Sequence, residues 1–355
     1  MSEDEKSPIT ARQAKSLFAD WKGAPALILA VSGGPDSIAL MWLLARWRRT
    51  LSRGPRLLAV TVDHGLRAES AREARDVRRL AGALGVSHRT VRWTGVKPKS
   101  GVPAAARAAR YRLLAAVARQ SGASHILTAH TRDDQAETLL MRLVRGSGIG
   151  GLAAMARESE REGVLIARPF LDISKSQLIA TLEKARIGFA DDPTNRDPRF
   201  TRPRIRSLIH GLAAEGGDAR KLARLASRLA RANAAIEILV DGAARYLALR
   251  DREAVSHPAS AARLQNTTFD AVAFAALPAE IRLRLLLRAI DRLGHEGPAE
   301  LGKVEALLAV LDGALQKPAA KHPPRLKQTL AGALISLVGG RIVVAPAPPR
   351  RRSAR

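Results

Sequence analysis

Residues 26–37, ALILAVSGGPDS, decide the architecture of this chain. The six apolar residues 26–31 read as a short buried strand, and an apolar helix pattern restarts at Ile38. Between them, Gly33 and Gly34 allow the backbone to approach a bound group without a Cβ clash. Unpaired N–H groups at the start of the following helix, aided by its dipole, make such a turn an anion cradle. Ser32 and Ser37 add hydroxyl donors, and Asp36 is placed to hold Mg²⁺ on the same phosphates. The bland alternative is a tight turn capped by Ser32 and Asp36. No lysine follows in the Walker pattern, so this is a different phosphate loop.

The arrangement recurs at RLLAVTV (56–62) and ASHILTA (123–129), each a strand pattern followed by a polar turn and a helix pattern. This alternation predicts an α/β fold whose N-terminal part is a doubly wound, mainly parallel, Rossmann-like sheet. Ligands of such sheets bind beyond the carboxyl ends of the strands, where VSGGPDS, VDHGLR and TAHTRDDQAET all fall. In VDHGLR, Asp63 is suited to accept from a ribose hydroxyl, and His64 and Arg67 to reach phosphate or substrate. In the third segment, Thr131 with Asp134 three residues on predicts a helix starting near 132. Asp133 and Glu137 then share one face with Asp134 beside them, and Leu139, Leu140 and Leu143 are expected to face the core. Complementing the helix dipole explains Asp133 and Asp134, but neither Glu137 nor His130 at the strand end. GSGIGG (146–151) fits G-x-G-x-x-G yet follows a helix, the wrong context for a dinucleotide site, and is expected to be a loop near substrate.

The chain has 355 residues, room for two domains. Its 59 Lys+Arg against 33 Asp+Glu give a net charge of +26, which favours a polyanionic partner. Aromatics are only 3%, too few for extensive base-stacking platforms, and the absence of cysteine excludes disulfides, Cys-bound zinc, iron–sulfur clusters and persulfide chemistry. The acidic N-terminus MSEDEKSPIT is not a targeting signal, no apolar run spans a membrane, and a cytoplasmic protein is expected. The loop-rich stretch 190–204 closes an expected catalytic domain of residues 1–215. A mostly helical domain, 216–345, is expected to follow, opening on a long helix over 218–250. That helix carries a stripe of Leu222, Leu225 and Leu229 and another of Arg220, Arg224, Arg228 and Arg231. Further helix patterns lie around 278–294 and 298–316, before a hairpin turning on Gly339-Gly340 and a disordered basic tail, 346–355.

Taken in order, SGGPDS, VDHGLR, ARY (109–111), AHTRDDQAET, RGSGIGGL and DDPTN resemble the N-type ATP pyrophosphatases, or PP-loop superfamily. Within it they resemble the bacterial tRNA(Ile)-lysidine synthetase family over roughly residues 26–206, and the C-terminal part, including TLAGA, more weakly. The resemblance implies that Ser32, Gly33, Gly34, Pro35, Asp36, Ser37, Asp63 and His64 bind ATP, with Mg²⁺ at Asp36. It implies adenylation of the C2 oxygen of the wobble cytidine in a CAU-anticodon tRNA(Ile), with loss of pyrophosphate. The ε-amine of free L-lysine then displaces AMP, leaving lysidine, which pairs with A instead of G. The catalytic group implied is Asp36, His130, Asp133, Asp134 and Glu137. The second step needs a neutral amine, whose deprotonation at pH 7 costs about 4.6 kcal/mol. A carboxylate among Asp133, Asp134 and Glu137 is suited to bind the ammonium and then take its proton, and which one remains open. The arginine surplus then serves the tRNA backbone, through Arg67, Arg110, Arg112, Arg145, Arg202, Arg204 and Arg206, with the stripe from Arg220 to Arg231 second. One departure stands out: Pro203 occupies a position where the family typically has asparagine. The resemblance implies no membrane partner and leaves a homodimer open. Two rival readings are a cysteine-independent amidating synthetase on the same fold and a non-catalytic basic RNA-binding protein.

Overall fold

The computed structural model describes residues 7–65, 70–95, 97–98, 100–190, 197, 199, 201–253, 266–316 and 326–348. Arg67, the DDPTN segment and residues 349–355 of the basic tail therefore lie outside the described residues. Two compact units emerge, residues 1–146 with 150–230, and residues 147–149 with 231–355.

The first unit opens with helix α1 (Ala11–Leu17) and builds a six-stranded sheet in the order β3-β2-β1-β4-β6-β5. Its strands are β1 (Ala26–Ala30), β2 (Arg56–Asp63), β3 (Ser87–Arg92), β4 (His125–Leu127), β5 (Glu158–Arg161) and β6 (Val164–Ala167). All pairings are parallel except that of β5 with β6, so the sheet is mainly parallel. The helices between are α2 (Pro35–Arg49), α3 (Ser70–Ala83), α4 (Val102–Ser121), α5 (Arg132–Leu143), the short α6 (Ile149–Leu152) and α7 (Lys175–Ala185).

Period-two alternation along β1 makes two cores from one strand. Leu27, Leu29 and Val31 join Ile38, Leu40, Leu44, Val77 and Leu178 on one face. Ile28 and Ala30 join Tyr111, Leu114, Ala115 and Ala118 of α4 on the other. Each large side chain so enclosed contributes about 1.5–3 kcal/mol relative to exposure, which is why β1 forms the middle of the sheet. Chain order reverses direction across β1, with β2 on one side and β4 on the other. The crevice at their carboxyl ends is thus the switch point where such sheets bind ligands.

Helix α8 (Thr201–Ala214) corrects the expected loop over 190–204, since residues 201–204 form its first turn. Proline is tolerated there because Pro203 removes an N–H that would have no intrahelical partner. Leu143 is also corrected: it is 54% exposed at the end of α5, while Leu139 and Leu140 are buried as expected. The expected domain change at 215/216 falls in the turn between α8 and α9 (Ala219–Glu253), whereas compactness divides the chain later, within α9.

The second unit is less helical than its sequence suggests. A four-stranded antiparallel sheet, β7-β10-β9-β8, is formed by β7 (Thr267–Asp270), β8 (Leu326–Leu330), β9 (Ala333–Val338) and β10 (Arg341–Pro346). Gly339 and Gly340 have φ of 56° and 71°, as the β9–β10 turn requires. The sheet's Ile335, Leu337, Ile342 and Val344 share a core with α10 (Ala271–Ala275), α11 (Ala279–Leu293) and α12 (Leu301–Leu315). No described helix is long and apolar enough to cross a membrane.

Candidate active site

The turn after β1 is preorganised by its own side chains. Gly34 is the N-cap of α2 and Pro35 its first residue, with the fixed φ that a helix start favours. Ser37 Oγ accepts from the Ser32 backbone N–H at 3.1 Å, donates to the Gly34 carbonyl at 3.0 Å and lies 3.3 Å from Ser32 Oγ. Gly33 takes φ of 94°, and its carbonyl accepts from Ala190 N–H at 2.9 Å. The loop is thereby tied to the chain after α7.

Asp36 is the electrostatic anomaly. Its Oδ1 is buried without a hydrogen-bond partner, and its Oδ2 lies 3.7 Å from the Lys175 ammonium. Burial pushes its carboxyl up to about 6, opposed by Lys175 and reinforced by Asp134 and Asp133. Lys175 joins the two strand ends, its ammonium facing Asp36 and its backbone N–H donating to Asp133, so the carboxylates after β1 and β4 share one crevice.

Helix α5 begins as read from the sequence. Thr131 and Asp134 form a complete capping box, in which Asp134 Oδ2 accepts from the Thr131 N–H at 2.8 Å and Oγ1 at 3.0 Å. The three acids of α5 then diverge in task. Asp133 Oδ2 accepts from the backbone N–H of Lys175, the first residue of α7, at 2.8 Å. Asp134 keeps Oδ1 toward Arg202, 3.7 Å away. Glu137, 2% exposed, accepts from Arg206 Nε at 2.6 Å and lies 3.8 Å from Arg202 Nε. Its Oε2 makes no hydrogen bond, and burial raises its carboxyl above the usual range despite the Arg206 pairing.

His130 sits at the end of β4 with Nδ1 2.9 Å from Thr128 Oγ1. Burial lowers its imidazolium to about 3, so the ring is neutral at physiological pH. Asp63, His64 and Arg110 line a cavity of about 230 Å³ with Ser32, Val62 and Glu73. Asp63 Oδ1 accepts from Gly65 N–H and its Oδ2 from Arg92 Nε, while His64 Nδ1 is buried without a partner.

The arginines expected on RNA divide. Arg112, Arg145 and Arg204 are exposed. Arg110 lines the cavity beside Asp63, and Arg202 and Arg206 turn inward to the acids of α5. Arg220, Arg224, Arg228 and Arg231 lie exposed along α9. The GSGIGG stretch is no strand-to-helix cradle: Arg142 holds the carbonyls of Gly151 and Ala154 at 2.6 and 2.8 Å, fixing its far end.

Lys175 is the site residue that sequence reasoning missed. Its signal was a lysine directly after Ser174, the N-cap of a Ser-x-x-Gln capping box, where the helix dipole disfavours a cation.

The PP-loop domain family matches residues 6–212. Over its whole length the chain is similar to a protein named tRNA(Ile)-lysidine synthase from Bradyrhizobium diazoefficiens, 69% identical across 99% of this chain and 98% of the relative. A protein of the same name from Rhodopseudomonas palustris is 62% identical over 100% of both chains. Among solved structures, the U34-tRNA thiolase NcsA from Methanococcus maripaludis, with its [4Fe-4S] cluster, shares the fold. It has a TM-score of 0.53 at 16% identity, over 62% of this chain and 77% of that one.

Proposed function

The chain belongs to the tRNA(Ile)-lysidine synthase family, and from that premise we propose a two-step reaction in the crevice beyond β1 and β4. ATP adenylates the C2 oxygen of the wobble cytidine of a CAU-anticodon tRNA(Ile), and free L-lysine then displaces AMP through its ε-amine. One observation carries the reading. A glycine–serine anion loop, whose aspartate keeps a buried oxygen without a partner, shares its crevice with a buried carboxylate–arginine cluster. Neither rival reading gains support: the curated relatives carry a ligase's name, and a bare RNA-binding surface has no use for such a crevice.

In the first step, the N–H groups at the start of α2 and the Ser32 hydroxyl would hold phosphate oxygens, with Ser37 bracing the loop from behind, and the cavity lined by Asp63, His64 and Arg110 suits the nucleoside. Asp36 Oδ1 fits a Mg²⁺ ion shared with the phosphates, because this hard cation takes one or two carboxylates and completes its shell with phosphate and water. Such an ion would supply charge neutralisation at the α-phosphate. Neutral His130, oriented by Thr128, suits hydrogen bonding to an uncharged base.

In the second step, the incoming ammonium needs a carboxylate that holds it and then takes a proton. Asp133 is tied to α7 and Asp134 to its own helix start, which leaves Glu137 Oε2, buried without a hydrogen bond and facing only Arg202 at 3.8 Å, as the α5 oxygen suited to the task. Arg202, poised between Asp134 and Glu137, marks where a cation is favoured, and its displacement toward RNA would open that place to lysine. Arg206 favours the ionised form of Glu137 against the effect of its burial.

The division of steps is testable by single-turnover assay. Glu137→Gln should still release pyrophosphate from ATP with the tRNA, while lysidine formation falls at least about 100-fold. Asp36→Ala should lose both. Lysidine formed by Glu137→Gln at the parent rate would remove Glu137 from the role.

A further inference from the structure

The phosphate loop contains no lysine, yet it must hold a polyphosphate and release pyrophosphate. Its described donors are neutral hydroxyls and amides, and Arg202 and Arg206 are engaged with Glu137. The cation that faces the loop's aspartate comes instead from another element: Lys175, at the first position of α7. That position is electrostatically unfavourable for a lysine, and the first turn of α7 has no acid to offset it. The backbone there is nevertheless fixed from outside, by Asp133 Oδ2 on the Lys175 N–H at 2.8 Å. A carboxylate of α5 thus anchors the start of α7 so that Lys175 faces Asp36.

Resting on the reaction proposed above, we infer that Lys175 is the loop's missing phosphate lysine and exchanges partners as nucleotide arrives. Without nucleotide its ammonium neutralises Asp36 across 3.7 Å. With a divalent cation held on Asp36, Lys175 would lose the attraction that keeps its ammonium there and would meet the negative charge of the β- and γ-phosphates instead. Lys175 then balances the charge that grows on the leaving pyrophosphate as the bond from the α-phosphorus to the bridging oxygen breaks and the bond to the cytidine O2 forms. It transfers no proton and forms no covalent bond. Asp133 acts through it as a positioning residue.

The test compares Lys175→Met and Lys175→Arg with the parent protein by equilibrium binding of a non-hydrolysable ATP analogue with Mg²⁺, and of adenosine. In Lys175→Met the analogue should bind about 10- to 100-fold more weakly, with adenosine and tRNA binding within about twofold of the parent and pyrophosphate release slowed. Lys175→Arg should recover most of the analogue binding, which a merely structural role would not predict. Unchanged analogue affinity in Lys175→Met, or equal loss of adenosine and analogue, would overturn the inference. A parent protein that binds no nucleotide would instead refute the underlying reaction, so the two failures are distinguishable.

Discussion

Asp36 is held against its own stability. Its carboxyl rises from 3.8 to about 6 because burial disfavours the ionised form more than Lys175 restores it. The folded protein therefore binds this proton more tightly than the unfolded chain does. The native state carries no penalty from Asp36 below about pH 4, and the penalty is complete once pH rises above about 6. Asp36→Asn should accordingly be more stable than the parent by about 1–3 kcal/mol at pH 8, with the gain shrinking toward zero as pH falls to 4. Urea denaturation at the two pH values checks this, and a variant less stable at pH 8 would contradict it. At this scale, Ser32 to Ser37 were legible in the sequence because their chemistry is local: glycine torsions, hydroxyls and a helix start. Lys175 was not, because its role depends on Asp133 packing across from another helix. The tasks of Arg202 and Arg206 were hidden for the same reason, since a basic helix face looks alike whether it meets water or a buried glutamate.

Helix α5 carries Asp133, Asp134 and Glu137, and its start is fixed by the Thr131–Asp134 capping box. Thr131→Ala removes the hydroxyl that accepts from Asp134 N–H and donates to its carboxylate. The expected loss is about 1 kcal/mol, with most of it restored in Thr131→Ser. Stability unchanged in Thr131→Ala would mean the cap is not what fixes Asp134. In α8, Pro203 sits where the N–H is unpaired in any case, so it acts mainly by restricting the unfolded chain. Pro203→Asn should lower stability by only about 0.5 kcal/mol and leave the Arg206–Glu137 pair intact. Loss of activity beyond a fewfold would show that the proline shapes the site. Elements with strong periodicity were readable in advance, including β1, β2, α5, α9 and the β9–β10 hairpin. The start of α8 was not, because its proline reads as a loop signal until placed in a first turn. Strands β7 and β8 escaped because their short, mostly polar sequences pair with β10 and β9 rather than announce themselves.

For the whole molecule, the charge of +26 matches a partner that is itself a polyanion. Binding of the tRNA should weaken with salt at a log–log slope of several units, each phosphate contact contributing about −0.7 to −0.9. A flat response would mean that the arginines serve something else. Substituting Arg112, Arg145 and Arg204 together should reduce that slope, since all three are exposed and make no described ion pair. The α/β plan and the crevice at its switch point follow from strand and turn patterns along the first unit. The share of each arginine in RNA binding does not, because charge without tertiary context has no direction. The central claim is that this crevice builds lysidine on RNA. The most direct measurement is nucleoside mass spectrometry of a CAU-anticodon tRNA(Ile) transcript incubated with the protein, ATP, Mg²⁺ and isotopically labelled lysine. The account predicts a labelled lysidine nucleoside that is absent without ATP and absent with Asp36→Ala. Pyrophosphate release with no such nucleoside, at any lysine concentration, would contradict it.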